Sequence, residues 1–163
     1  MASLFTQAPY AEDQQNSHTI LYLHVARASA MSFTFFSLFR LPITIIRDQI
    51  RKAPTDMSAV IARTVQSSSR AFAIGSAVGV LITWGRMRGR EEIEWQDRAW
   101  RILGNRGEVQ TDWATIGGIG AGAVAGVVGA RRGVVPGGVG KAVLGGVGVG
   151  SSVGKSSGIS SRI

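Results

Sequence analysis

Residues 113–130 read WATIGGIGAGAVAGVVGA, a run without a charged side chain and with glycine or alanine at nearly every second place. In water such a helix would not hold, because each glycine costs about 1 kcal/mol against alanine. In a bilayer the balance reverses. The backbone has no water to bond to, so an apolar run of this length is driven into a helix, and small side chains let neighbouring helices approach closely. Gly118, Gly122, Gly126 and Ala130 recur every fourth residue, and Gly117, Ala121, Ala125 and Gly129 form a second row beside them. The run therefore predicts a transmembrane helix with a broad, smooth packing face.

Downstream, Arg131 and Arg132 stop this span, and Pro136 opens another glycine-rich stretch. Within residues 136–154, Gly138, Ala142, Gly146, Gly150 and Gly154 fall four apart, and Lys141 can snorkel to the near surface. The four-residue rows favour a further span over a glycine-serine tail, whereas residues 155–163 read as a flexible tail.

Upstream lies the main hydrophilic segment, residues 85–112, GRMRGREEIEWQDRAWRILGNRGEVQTD. Arg86, Arg88, Arg90, Arg98, Arg101 and Arg106 balance Glu91, Glu92, Glu94, Asp97, Glu108 and Asp112, so the segment is dense in charge but neutral. Its centre reads as an amphipathic helix with Ile93, Trp100 and Leu103 on one face and acids at the N-terminal end, where the helix dipole favours them. All four tryptophans, Trp84, Trp95, Trp100 and Trp113, fall here or at its edges. Indole rings favour the headgroup level, which makes this an interfacial loop anchored by tryptophan; packing of Trp95 and Trp100 on a soluble partner is the alternative.

Further back, residues 57–84 form a long helix with Thr55 or Asp56 as its N-cap. Its first half carries Arg63, Arg70 and a serine run, and its second half is apolar with Gly75 and Gly79 at small-xxx-small spacing, giving a span over about 62–84. A basic connector, residues 47–56, separates it from the apolar residues 19–46, which contain Arg27, Arg40 and Pro42. As one helix that run would reach roughly 42 Å, more than a bilayer core needs, so part of it leaves the core. A span over about 22–46 is expected, with Arg40 reaching a headgroup or a partner carboxylate and Pro42 bending the exit. A soluble amphipathic helix would leave Phe33, Phe35, Phe36 and Phe39 exposed. Residues 1–18 form a polar N-terminal tail, neither a signal peptide nor an arginine-rich presequence, so an organelle address would be internal.

The global numbers fit one domain: 163 residues with a formal charge of +8, and a mean hydropathy of only +0.16 because the apolar residues are concentrated in the runs. The fold class is an all-α membrane protein, four short transmembrane helices with glycine-rich packing faces, occupying residues 19–154. The absence of cysteine excludes disulfides, thiolate metal sites and iron–sulfur clusters. His18 and His24 have no partner at ligand spacing, so no metal or other cofactor is expected.

Three local matches carry little. The Gly120–Ala125 pattern has no preceding strand and no acid at the dinucleotide-binding distance. The Gly154-Lys155-Ser156 end lacks the required glycine, having Val149 there. Basic charge is spread over every connector, as at membrane boundaries, rather than gathered with stacking aromatics for nucleic acid. No nucleophile, base and orienting group can be assembled, so no enzyme is expected.

An arginine and an aspartate ahead of a Gly-Gly-x3-Gly helix, here Arg106, Asp112, Gly117, Gly118 and Gly122, together with four short glycine-lined spans, resemble the mitochondrial inner-membrane translocase superfamily. The arginine–aspartate interval is longer, and the aspartate–glycine interval shorter, than in the family pattern. Within the superfamily, the length, polar N-terminus and charged middle loop are most similar to the four-helix accessory subunits of respiratory complex I. The resemblance implies a multi-pass protein of the mitochondrial inner membrane with termini in the intermembrane space. It further implies membrane-embedded subunits and phospholipids as partners, and a structural role without a redox centre. A translocase or solute-pore component is the other function it allows.

Overall fold

The computed structural model describes residues 4–51, 56–133, 139–140, 142–143 and 145–150. Among the described residues, a short 3-10 turn at Ala11–Asp13 is followed by the helices α1 (Ser17–Leu38), α2 (Arg40–Ile50), α3 (Met57–Met87), α4 (Glu92–Gly104) and α5 (Arg106–Arg131). The described residues from 139 to 150 are also helical and are called here the C-terminal segment. The ends of the span expected at 136–154, and the whole of the tail at 155–163, lie outside the described residues.

Local chemistry sets the helix ends. Pro42 has no N–H to give the carbonyl of Leu38, and its ring crowds that oxygen, so the helix breaks one turn ahead of the proline. Phe39 closes the break with a short bond from its N–H to the Phe36 carbonyl at 3.3 Å. Asp56 caps α3, its carboxylate accepting from the N–H groups of Ser58 at 3.0 Å and Ala59 at 3.4 Å. Gly89, at φ +75°, takes the left-handed position just past α3 that a side chain would resist. Asn105 separates α4 from α5 and accepts from the Gly107 N–H at 3.0 Å. Residues 106–112, expected in the interfacial loop, are therefore the first turns of α5 instead.

The contacts define how the helices run. Gly75 and Gly79 of α3 press against α1: a Cβ at Gly75 would lie 2.8 Å from the Cα of Ala30, and one at Gly79 2.7 Å from the Cα of Ala26. Farther along the same seam, the hydroxyls of Ser37 and Ser68 meet at 3.2 Å. As the α1 numbers rise the α3 numbers fall, so the two helices are antiparallel. Arg27 meets Asp112, and Thr115 Oγ1 lies 3.5 Å from the Met31 sulfur, which makes α5 parallel to α1. The C-terminal segment runs back along α5, with Gly126 against Ala142, Gly122 against Gly146 and Gly118 against Gly150. Its other side meets α3 at Val65 and Ser68 through Gly145 and Gly148.

α4 lies across the end of the bundle where α1 starts and α3 stops. Trp95 joins Leu21 and Met87 in one apolar cluster, and Ala99 and Leu103 join Ile20 in another. The buried face is thus Trp95, Ala99 and Leu103, turned from the expected Ile93, Trp100 and Leu103 face; Ile93 is exposed.

Three helical stretches, Ser17–Ile50, Met57–Met87 and Arg106–Arg131, are long and apolar enough to cross a membrane. Of their apolar windows only 17%, 17% and 11% is buried within the chain. The interior is accordingly small, and most of the apolar surface faces outward.

Candidate functional site

Arg27 stands in the apolar run of α1 with its side chain only 6% exposed. An isolated guanidinium there would be costly, and α5 supplies the answer to it. Nη1 of Arg27 donates to Oδ1 of Asp112, itself 1% exposed, and Nη2 donates to Oε2 of Glu108 at 2.8 Å. His24 joins them, its Nδ1 lying 3.5 Å from Arg27 Nη2 and 3.7 Å from Glu108 Oε2. The spacing follows from helix geometry: residues three apart on α1 and four apart on α5 each share one face. Two pairs of side chains then meet across parallel helices. One guanidinium faces two carboxylates, and the imidazole completes the group. The arrangement locks α1 to α5, with one positive charge set between two negative ones.

A second polar constellation sits where α4 crosses α1. The His18 ring stacks on Trp95 with centroids 3.9 Å apart and planes within 6°. Its Nε2 donates to Glu92 at 2.7 Å, and Ser17 Oγ donates to the other oxygen of that carboxylate at 2.8 Å. These two hydrogen bonds, His18 first, hold the Glu92 carboxyl below its ordinary value. The chain ahead of α1 is tied to the same helix: Trp100 Nε1 donates to the Ala8 carbonyl at 2.8 Å, and Gln7 returns a bond to the Trp100 carbonyl at 3.1 Å. Residues 6–14 are thus less a tail than a strap, and Gln14, only 3% exposed, pins it internally through Ala8 and Thr6.

These contacts revise several expectations. Trp95 is not a headgroup anchor but is 6% exposed, because α4 turns it inward against His18, Leu21 and Met87. Trp100 is half-buried under the strap. Trp84 and Trp113 remain exposed, at 52% and 58%. Arg106 and Asp112 are not brought together. Six residues along a helix turns them about 120° apart, so Arg106 stays exposed in the first turn while Asp112 faces Arg27. Gly118, Gly122, Gly126, Gly146 and Gly150 lie along the α5 seam, as Gly75 and Gly79 lie along α1. Gly117 does not: nothing among the described residues comes within 4 Å of a Cβ there, since one residue's rotation carries it off the Gly118 row.

Arg27, His24, Glu108, His18 and Glu92 were not singled out as site residues by the sequence. The signal for the first was present in a buried-looking arginine and in two acids one helical turn apart just before an apolar run.

A family model described as "Protein of unknown function (DUF1757)" matches residues 10–144. The chain belongs to the DUF1757 family. No curated protein and no solved structure matches it. The DUF1757 match begins in the strap and runs through α5 into the C-terminal segment, so the Arg27 lock and the His18–Glu92 clamp both lie within it.

Proposed function

We propose that this DUF1757 chain is a non-catalytic accessory subunit of the membrane arm of mitochondrial NADH–ubiquinone oxidoreductase, supporting its assembly and stability. The observation that carries the reading is how little of the three long helices' apolar windows is buried inside the chain: 17%, 17% and 11%. Surface of that kind is suited to lipid and to neighbouring membrane subunits. In this reading the C-terminal segment is the fourth span, and the glycine seams hold the four spans together. The protein sits multi-pass in the mitochondrial inner membrane. The resemblance carried by Arg106, Asp112, Gly117, Gly118 and Gly122 supports the assignment to the respiratory complex; Arg106 is exposed, and nothing among the described residues comes within 4 Å of a Cβ at Gly117.

A component of an inner-membrane translocase or solute pore is the second reading. The Arg27–Asp112–Glu108–His24 group favours it, since ionisable side chains at membrane depth often mark a pathway. The subunit reading is preferred because Arg27 is already engaged by both carboxylates, as a structural lock requires.

Mild-detergent extraction followed by native electrophoresis tests the choice. The chain is expected in a complex many times its own mass that carries NADH dehydrogenase activity, and its deletion should weaken the membrane arm without loss of a cofactor signal. Migration with an import complex, and loss of precursor uptake with NADH oxidation intact, would reverse the preference.

A further inference from the structure

Between the end of α1, the start of α2 and the first half of α3 lies a cavity of about 510 Å³, a size usual for small-ligand sites. Its wall has two kinds of surface. Arg40, Arg63 and Arg70 enter it together with the amide of Gln66, while Phe33 and Ile74 form an apolar end. No Asp or Glu lines it among the described residues. Three other arginines are ion-paired, Arg27 with Asp112 and Glu108, Arg90 with Glu94 at 3.3 Å and Arg101 with Asp97 at 3.0 Å, but each of these stands alone beside its acids, whereas the cavity gathers three on one wall. The three arginines of the cavity have no ion-pair partner among the described residues.

The depth of the cavity is set by the helices around it. α1 has 22 residues, which is about 33 Å of helix and enough to cross a hydrocarbon core. The cavity is at its far end, where the core gives way to headgroups. α2 follows at once with Ile43, Ile46 and Ile50 exposed along one side and Arg47 and Arg51 beside them, the pattern of a helix lying in the membrane surface. On α3, Arg70 stands at the boundary between the polar first half and the apolar second half.

We propose that this cavity binds the phosphodiester headgroup of an anionic phospholipid, with Arg40, Arg63 and Arg70 around the phosphate and an acyl chain leaving past Phe33 and Ile74. Guanidinium groups are suited to phosphate oxygens because their N–H groups donate in a fixed fork. Three positive charges without a counter-charge select a headgroup of net negative charge over a zwitterionic one. The apolar end selects a lipid over a free phosphate. The inference rests on the membrane-spanning part of the reading above, not on the identity of the complex.

The test uses the full chain reconstituted in phosphatidylcholine vesicles containing spin-labelled phosphatidylglycerol or spin-labelled phosphatidylcholine, with the motionally restricted fraction as the readout. Carbonate extraction reports membrane integration separately, so failure to integrate counts against the membrane reading itself. With the chain integrated, the anionic probe is expected to be preferred about tenfold, well below the roughly hundredfold ceiling that full contributions from three basic groups at a membrane surface would set. Arg40→Gln, Arg63→Gln and Arg70→Gln together should abolish that preference, and Arg63→Gln alone should lower it severalfold with helicity unchanged. A matched control replaces Arg51, Arg131 and Arg132 by glutamine; an equal loss there would mean diffuse attraction and overturn the site. Displacement of the labelled lipid by inorganic phosphate would make the ligand a soluble phosphate and overturn the lipid assignment. An integrated chain with equal affinity for the two lipids would overturn the proposal outright.

Discussion

α1 is held on two sides by opposite means. Against α3 it meets glycine: Gly75 and Gly79 bring backbone onto backbone at Ala26 and Ala30, and no side chain fits between. Against α5 it reaches across with Arg27, which two carboxylates receive while His24 flanks it on α1. The first seam gains stability from dispersion and from the short distance at which small residues let helices pack. The second gains little net energy from its charges, because desolvation offsets most of the attraction, and its expected contribution is to fix the register of α5 on α1. Together they teach that in a chain with a small interior, closeness and specificity can be supplied by different neighbours of the same helix.

The polar seam should be the more fragile. Arg27→Leu leaves Glu108 and Asp112 facing an apolar side chain, and a loss of about 3–5 kcal/mol is expected, as for breaking a buried pair from one side. Thermal unfolding in detergent would register it. Replacing Arg27, Glu108 and Asp112 together by Leu, Gln and Leu should recover most of that loss, because no charge is then left unpaired. Full loss in the triple variant would show that the seam contributes stability as well as register.

The glycine seam should fail by overpacking. Gly79→Leu is expected to cost about 1–3 kcal/mol, since a Cβ there already meets the Ala26 Cα at 2.7 Å. Gly117→Leu, on the open side of α5, should change stability little by the same measurement. Equal effects at the two positions would remove the distinction between a packed and an unpacked glycine row.

How much of this was legible in the sequence depends on the range of each interaction. The all-helical class, the break near Pro42 and the Asp56 cap are local, and proline and capping chemistry state them in a few residues. The rows at Gly75, Gly79, Gly118, Gly122 and Gly126 were visible as periodicity, but periodicity could not tell Gly117, one residue away, from its neighbours. Arg27 and Asp112 are 85 positions apart, and nothing local joins them. Counting Asp112 into a neutral loop hid its role, because a balanced total says nothing about which charge is buried. Trp95 was misplaced for a related reason: an indole satisfies an interface or a core equally well, and only the rotation of α4 decides.

The smallest effect expected is in the clamp at the α4 crossing. The Glu92 carboxyl is held below its ordinary value by His18 and Ser17, so its contribution is complete above the ordinary carboxylate range and is lost as pH falls through the lowered value. Trp95 fluorescence should report loosening of the clamp on acidification from neutrality, while the α1–α3 seam, read from Gly79-dependent unfolding, stays unchanged. Glu92→Gln should remove that component of the acid response; an unaltered response would place the titrating group elsewhere.

The directions of the three long helices can be read in an intact membrane. The chain has no cysteine, so single cysteines at Thr6, Arg90, Arg51 and Arg132 can be labelled with an impermeant thiol reagent. Thr6 and Arg90 flank the end where α1 starts and α3 stops; Arg51 and Arg132 flank the other. If α1, α3 and α5 cross the bilayer as antiparallel and parallel neighbours, Thr6→Cys and Arg90→Cys will label from one side and Arg51→Cys and Arg132→Cys only from the other. Labelling of all four from one side would contradict the spanning bundle.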